Sequence, residues 1–256
     1  MNDPMSRVEW LGEETCAGCV ERSFLLRRPS GIVPGVLWSP GTVAAPPAVL
    51  LFHGGSGHKR SERHVRMGRW LASAGLAVIA VDGPYHGDRV ASPMPPAVYQ
   101  QLIADEGIGP VTARMTGDWL DVVSALAAEG LADDANAGVF AISMGVRFGL
   151  PVAAELGSGV RCAVFAKFGI RQTGLLHPGI CDPGLMLTAA RALSSPVLYH
   201  VQWDDELFPR DGQFELFEAL ASADKCLIAR SGPHTGTHPD DEASWLEFIR
   251  TGTPGA

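Results

Sequence analysis

The chain has 256 residues, of which 46% are hydrophobic and 19% charged, and its formal net charge is −8 at pH 7. This composition excludes a disordered or coiled-coil protein. Binding to nucleic acids or anionic membranes is disfavoured because both need clustered Lys and Arg, and the chain has no long basic run. A polar N-terminus that carries acids, together with apolar runs too short to cross a bilayer, predicts a cytoplasmic protein without a membrane segment. We therefore expect a small neutral or cationic molecule as its partner.

The hydrophobic periodicity predicts short strands that alternate with helices. The predicted strands span about 20–28, 32–38, 48–52, 76–81, 138–142, 162–166, 197–201 and 225–229. The first two meet at a Pro-Ser-Gly turn and form an N-terminal antiparallel hairpin. The later strands have helices between them, which predicts right-handed crossovers onto a mainly parallel, eight-stranded sheet with helices on both faces. We expect one α/β domain over residues 1–256, with small lid-like inserts at about 85–109 and 169–182.

Five cysteines are an odd number, which argues against a disulfide framework. Cys16 and Cys19 have the spacing of a metal or redox motif. Zinc would need a second pair, and a redox motif of the thioredoxin type would open a helix, whereas a strand is predicted after Cys19. We therefore predict a structural or incidental role for this pair, and neither a metal nor a cofactor for the chain.

Ser143 lies between the strand 138–142 and a predicted helix. A nucleophile at such a junction needs a sharp turn that only small residues two positions away permit. Ala141 and Gly145 meet that requirement. The alternative is an ordinary serine that caps the helix N-terminus.

A glycine-rich segment, 53–57, follows the strand 48–52. Glycines let the main chain approach an acyl group, so the backbone N–H groups of Gly55 and Met144 are candidate oxyanion donors. A phosphate-binding loop is the alternative, but His58 stands before Lys59 where that motif needs glycine.

A serine nucleophile needs a base, and the base needs an acid that orients it. His234 follows the last predicted strand, whereas His238 precedes Pro239 at a helix start and belongs more naturally to a cap. Asp205 follows the strand 197–201 and is the favoured acid. Its neighbours Asp204 and Glu206 and the earlier Asp182 are the alternatives.

The order of these motifs resembles the α/β-hydrolase superfamily over about residues 20–250. The matching segments are the oxyanion loop His53-Gly54-Gly55, the nucleophile elbow Ala141-Ile-Ser143-Met-Gly145, the acid loop Asp205-Glu-Leu-Phe-Pro209 and the histidine loop Gly232-Pro-His234. The turn from Asp82 to Gly87 is similar to one whose role in relatives is structural. Within the superfamily the chain is most similar to the dienelactone-hydrolase-like and small bacterial carboxylesterase group.

The resemblance implies a serine-dependent hydrolase of carboxylic esters with small or medium acyl groups, lactones or thioesters, acting through an acyl-enzyme intermediate. Ser143 stands where true dienelactone hydrolases carry Cys, which argues against that substrate, and where dehalogenases and epoxide hydrolases carry Asp. Val146 replaces a usual second glycine, and Pro151 interrupts the following helix. A short-peptide or acyl-peptide hydrolase and a non-catalytic ligand-binding protein are the alternative functions.

The inserts suggest the walls of a substrate pocket. Tyr85, His58, Phe168 and Trp203 are the pocket residues that we predict. Further candidates for the walls are Met94, Tyr99, Leu175, Leu176 and His177. His58, Lys59 and Arg60 lie beside the oxyanion loop and meet either an acidic part of a substrate or only solvent at a helix start. The oligomeric state stays open, with a homodimer among the options.

Overall fold

A computed structural model describes residues 8–16, 18–41 and 43–253 of the chain. These residues form a nine-stranded sheet in the order β1-β2-β3-β5-β4-β6-β7-β8-β9. The strands are β1 (Val8–Cys16), β2 (Cys19–Arg28), β3 (Gly31–Ser39), β4 (Pro47–Phe52), β5 (Ala77–Val81), β6 (Asp133–Ile142), β7 (Val160–Ala166), β8 (Val197–Gln202) and β9 (Lys225–Arg230). From β5 to β9 all neighbouring strands are parallel, whereas β1, β2 and β3 are antiparallel to their neighbours.

Seven α-helices connect or follow the strands in the described part of the chain. They are α1 (Glu62–Ser73), α2 (Pro96–Glu106), α3 (Ile108–Ala128), α4 (Met144–Leu156), α5 (Pro183–Ala192), α6 (Arg210–Ala219) and α7 (Pro239–Thr251). None of these helices is both long enough and apolar enough to cross a membrane.

The predicted mainly parallel sheet with an N-terminal antiparallel hairpin is confirmed, but the predicted strand count of eight is wrong. The additional strand is β1, which pairs with β2 at the edge of the sheet. Most of its side chains are exposed and several are acidic, so it lacks the apolar pattern by which a buried strand is recognised. The insert predicted at 85–109 also differs from expectation, because it contains α2.

Helices cover both faces of the sheet. Helices α1 and α7 pack on one face, and α3, α4, α5 and α6 pack on the other. The strand β4 shows why both faces are covered: Leu50 and Phe52 point into one apolar cluster, while Val49 and Leu51 point into the other. A strand that is buried on both sides has to be apolar throughout, as the run 48–52 is.

The parallel strands end at one edge of the sheet, and the polar residues that follow them therefore meet there. His53 follows β4, Ser143 follows β6 and Lys167 follows β7. The loops 203–209 and 231–238 follow β8 and β9 at the same edge. This edge is the candidate functional site.

Candidate active site

Ser143 occupies the tight turn between β6 and α4. Its backbone has φ 54° and ψ −125°, an unfavourable conformation for a residue with a side chain. A Cβ atom added at Gly145 would lie 2.5 Å from the carbonyl oxygen of Phe52, so the helix meets β4 too closely for any larger residue. The strained turn and this glycine together direct the Ser143 hydroxyl away from the helix and toward the loops at the sheet edge.

Three side chains from three different loops form a continuous hydrogen-bonded chain. The Oγ of Ser143 lies 2.8 Å from Nε2 of His234, and Nδ1 of His234 lies 2.7 Å from Oδ2 of Asp205. A proton on Nδ1 that faces the carboxylate leaves Nε2 as the acceptor for the serine hydroxyl. The other oxygen of Asp205 accepts the N–H groups of Leu207 and Phe208, at 2.8 and 2.9 Å, which holds the carboxylate in position.

The alternative acids and the alternative histidine have other partners. Asp204 accepts the N–H of Gly232 at 2.8 Å, and Glu206 accepts the backbone N–H of His234 at 2.8 Å. These two carboxylates therefore hold the loop that carries His234, while Asp205 contacts the imidazole ring. Asp182 caps α5, and His238 caps α7.

Lys167 is a further residue of the site that the sequence analysis did not single out. Its ammonium group is buried below the histidine loop and donates to Thr237 Oγ1 at 2.7 Å and to the carbonyl oxygens of His234 and Gly236. Burial, with the nearby charge of Arg63 second, lowers the pKa of Lys167 to about 8. A lysine directly after an apolar strand was the available sequence signal.

The two predicted oxyanion donors, Gly55 and Met144, line the same cavity as Ser143. Met144 is the first residue of α4, so its N–H has no acceptor within the helix. Gly55 packs against Tyr99, whose hydroxyl oxygen lies 2.3 Å from where a Cβ at position 55 would be. His86 contacts the carbonyl oxygen of Gly55 through Nε2 at 2.9 Å, which orients that peptide group. A side chain at position 55 would therefore displace the hydroxyl of Tyr99.

Two buried histidines with neighbouring rings, His53 and His64, lie at this loop in their neutral forms, and His53 supports it. Nδ1 of His53 donates to the Gly54 carbonyl at 2.8 Å, and its Nε2 accepts the N–H of Gly83 at 2.8 Å. Burial, followed by the nearby His86, lowers the pKa of His53 to about 4. Burial also lowers the pKa of His64 well below its ordinary value, and neither ring nitrogen of His64 has a hydrogen-bond partner within the described residues.

These pKa values predict a loss of stability in acid. The unfolded chain takes up protons on both histidines below about pH 6.5, whereas the folded protein takes them up only at lower pH, so the free energy of unfolding falls as the pH falls from 6.5 toward 4. We expect His64→Leu to reduce the fall between pH 7 and pH 5 by on the order of 1 kcal/mol, measured by urea unfolding. The exposed His58→Asn should change this fall much less, because His58 is only a minor cause of the lowered pKa values. The prediction is contradicted if His64→Leu shows the same fall as the wild-type protein.

A cavity of about 350 Å³ opens beside Ser143 and is mostly apolar. Its wall includes residues from α2, from α4, from the segment before α5 and from the acid loop, namely Pro96, Tyr99, Gln100, Ile103, Arg147, Leu175, Leu176, Ile180, Leu207 and Phe208. A second, more polar cavity of about 280 Å³ lies on the other side of His234 and is lined by His53, His64, Lys167 and Thr237 among others.

The four predicted pocket residues lie outside the lining of both cavities, so the structure does not place them at the pocket. Tyr85 donates its hydroxyl to Glu106 at 2.7 Å, His58 is exposed, and Trp203 is 42% exposed and stacks against Arg210. Phe168 is buried behind the wall. Their positions follow from local loop contacts that periodicity does not encode.

The other predicted wall residues divide into two groups. Tyr99, Leu175 and Leu176 line the larger cavity. Met94 packs on the core, and His177 accepts the N–H of Gly179 at the start of the short helix Pro178–Ile180.

The charges beside the oxyanion loop serve the fold. Nζ of Lys59 lies 2.5 Å from the buried carboxylate of Asp82, which ties the loop after β4 to the loop after β5. Arg60 pairs with Glu21 on β2. Of the two interpretations considered for these cations, contact with an acidic substrate is therefore not supported for Lys59 or Arg60.

Comparisons with known proteins find solved structures that are similar to this chain. No protein-family model and no curated protein sequence matches the chain. A cold-adapted esterase from an Arctic intertidal metagenomic library is 28% identical, with a TM-score of 0.80 over 94% of this chain and 98% of that one. An acetyl xylan esterase from Thermoanaerobacterium sp. JW/SL YS485 is 16% identical, with a TM-score of 0.72 over 96% of this chain and 87% of that one.

A third similar structure is a putative dienelactone hydrolase from Klebsiella pneumoniae. It is 19% identical, with a TM-score of 0.69 over 90% of this chain and 99% of that one. The chain therefore has the α/β-hydrolase fold. It is similar to an esterase and to a dienelactone hydrolase of that fold.

Proposed function

We propose that the protein hydrolyses carboxylic esters with Ser143 as the nucleophile. The observation that carries the proposal is the hydrogen-bonded chain from Ser143 through His234 to Asp205 at the mouth of an apolar cavity. A serine hydroxyl is a poor nucleophile unless a base accepts its proton, and this arrangement supplies the base and the group that orients it. The likeness to a cold-adapted esterase supports the same chemistry.

In the proposed mechanism, Ser143 Oγ attacks the ester carbonyl carbon while His234 Nε2 accepts its proton. The negative oxygen that forms is stabilised by the N–H groups of Gly55 and Met144, and Asp205 stabilises the protonated imidazole. His234 then gives its proton to the leaving alcohol oxygen, so that an acyl-enzyme remains on Ser143. A water molecule, deprotonated by His234, releases the acid and restores the serine.

The size of the cavity limits the substrate that we propose. About 350 Å³ of mostly apolar space accommodates a small or medium acyl group rather than a long lipid chain. A lactone or thioester with a group of similar size fits the same space and uses the same chemistry at its carbonyl.

The proposal is tested by active-site labelling and turnover together. Purified protein should hydrolyse 4-nitrophenyl acetate and butyrate, and a fluorophosphonate probe should add one adduct that peptide mapping assigns to Ser143. Hydrolysis without an adduct at Ser143 would contradict the assigned nucleophile. The absence of both hydrolysis and an adduct would favour a non-catalytic ligand-binding protein.

Lys167 is expected to position His234 rather than to take part in the chemistry. Lys167→Met removes the donor to the loop 234–237, so we expect kcat to fall about 10-fold with little change in KM, because the loop then holds the imidazole less well. Lys225→Met is the matched control, since Lys225 also binds backbone carbonyls but lies at β9 and α6. Equal losses in both variants would indicate a general effect on stability instead.

A further inference from the structure

The larger cavity contains a buried cation that the proposed mechanism does not use. Arg147 lies four residues after Ser143 on α4, lines the cavity and is only 4% exposed. A guanidinium has five N–H donors. One nitrogen of Arg147 donates to the Ile180 carbonyl, another lies 3.4 Å from Gln172 Oε1, and Nε has no partner within the described residues. The hydrogen-bonding capacity of this group is therefore only partly used.

Arg147 also lacks a counter-ion in the part of the chain that the structure describes, because none of the ion pairs found there includes it. The acid Asp182 lies near in sequence to the Ile180 contact, but it accepts the N–H of Leu185 as the cap of α5. Burial lowers the pKa of Arg147 to about 10, so the side chain stays positively charged at neutral pH. The guanidinium lies 5.2 Å from the centre of the Phe168 ring, which offsets part of the cost of its burial. An anion from a ligand would offset more of that cost, because a buried charge without a counter-ion is destabilising.

The surroundings of the guanidinium suit a carboxylate. Among the residues that line the cavity, Arg147 carries the only permanent charge, and most of the wall is apolar. The side-chain oxygen of the nearby Gln100 already accepts the N–H of His177 at 2.8 Å. A planar guanidinium binds a carboxylate through two parallel hydrogen bonds, and it does so most strongly where water is excluded.

We propose that Arg147 binds a free carboxylate group of the substrate, so that the preferred substrates are esters that carry a second, unesterified carboxylate. This inference rests on the proposed ester hydrolysis and names its substrate class. Arg147 and Ser143 line one cavity of about 350 Å³, so a carboxylate at the guanidinium and a scissile carbonyl at Ser143 belong to one small substrate. Half-esters of short dicarboxylic acids fulfil that condition on the acyl side, and acyl esters of hydroxy acids fulfil it on the alcohol side.

Paired substrates of matched size test the proposal. We would compare kcat/KM for monomethyl glutarate with that for methyl 5-methylhexanoate, and for 4-acetoxybenzoate with that for 4-isopropylphenyl acetate, by titrating the acid released. We expect the wild-type protein to prefer the anionic member of at least one pair by about 10-fold or more, a typical gain for one charge-assisted contact. The pair that shows the preference tells whether the acyl or the alcohol part carries the carboxylate.

Two variants and a control identify the residue. Arg147→Gln should lower the ratio of anionic to neutral kcat/KM at least 10-fold, and Arg147→Lys should lower it less, because a lysine keeps the charge but not the paired donors. The exposed Arg191→Gln removes one positive charge elsewhere and should leave the ratio unchanged. Circular dichroism and thermal unfolding establish that each variant is folded.

A binding measurement makes the test independent of turnover. In Ser143→Ala, glutarate should raise the unfolding temperature, and Arg147→Lys in the same background should reduce that rise. Suppose that neutral esters are hydrolysed but the ratio of anionic to neutral kcat/KM is equal in wild type and Arg147→Gln. This result would overturn the role of Arg147 and leave the proposed function standing. The same holds if the wild-type protein hydrolyses neutral esters and shows no preference for the anionic member of either pair. Absence of hydrolysis and of a Ser143 adduct would overturn the proposed function itself, and glutarate stabilisation that depends on Arg147 would then still support the anion site.

Discussion

Ser143→Ala is expected to lower kcat for 4-nitrophenyl butyrate by about 10⁴-fold or more, with little change in KM. The variant loses the atom that attacks the carbonyl, and no acyl-enzyme can form. Any residual rate would come from water attack assisted by the N–H groups of Gly55 and Met144, which the substitution leaves in place. Steady-state kinetics on protein freed of contaminating esterase measures the effect.

The matched control for this prediction is Ser158→Ala. Ser158 is exposed in the short helix Gly157–Gly159, which follows the end of α4 that is remote from the elbow, so its removal should leave kcat at the wild-type value. Retention of more than a tenth of the wild-type kcat in Ser143→Ala would show that another group is the nucleophile.

Asp205→Asn is expected to lower kcat about 10³- to 10⁴-fold while the fold is retained. Asparagine has the same shape, and its oxygen can still accept the N–H groups of Leu207 and Phe208. Its NH₂ group would face Nδ1 of His234 and favour a proton on Nε2 instead. The imidazole would then be unable to accept the proton of Ser143, and its charged form would lose the carboxylate that stabilises it.

Asp204→Asn is the comparison that makes the acid assignment testable. Its carboxylate binds the N–H of Gly232 and does not contact the imidazole, so we expect kcat to fall less than about 10-fold, a typical cost of one displaced hydrogen bond. Both variants are measured with 4-nitrophenyl butyrate, and thermal unfolding monitors their stability. A larger loss in Asp204→Asn than in Asp205→Asn would show that Asp205 is not the orienting acid.

Much of the site could be predicted because its residues follow strands. Ser143, Asp205 and His234 each stand in a loop after a parallel strand, and parallel strands bring such loops to one edge of the sheet whatever the details of packing. The choice between His234 and His238 could be argued from Pro239, since a proline at a helix start makes the residue before it a cap. In the structure His238 does cap α7.

The edge strand and the pocket could not be predicted in the same way. Strand β1 carries exposed, largely polar side chains, so its pairing with β2 is visible only once the sheet is assembled. Tyr85 and Trp203 have the residue types of a pocket wall, but their loops turn them toward Glu106 and Arg210. The direction of a loop side chain depends on the contacts that the folded loop makes, and no periodicity records those contacts.

The sequence by itself therefore determined the order of strands and loops, and with it the set of residues that meet at one edge of the sheet. Only the tertiary structure decided which side chains complete that edge. Arg147 lines the same cavity as Ser143, and Lys167 donates to the loop that carries His234, because α4 and β7 pack in one particular way. The role of each buried charge depends on the partners that it has or lacks. The physical reason is that strand order follows from local hydrophobic patterns, whereas the environment of a buried charge is a property of the whole packed molecule.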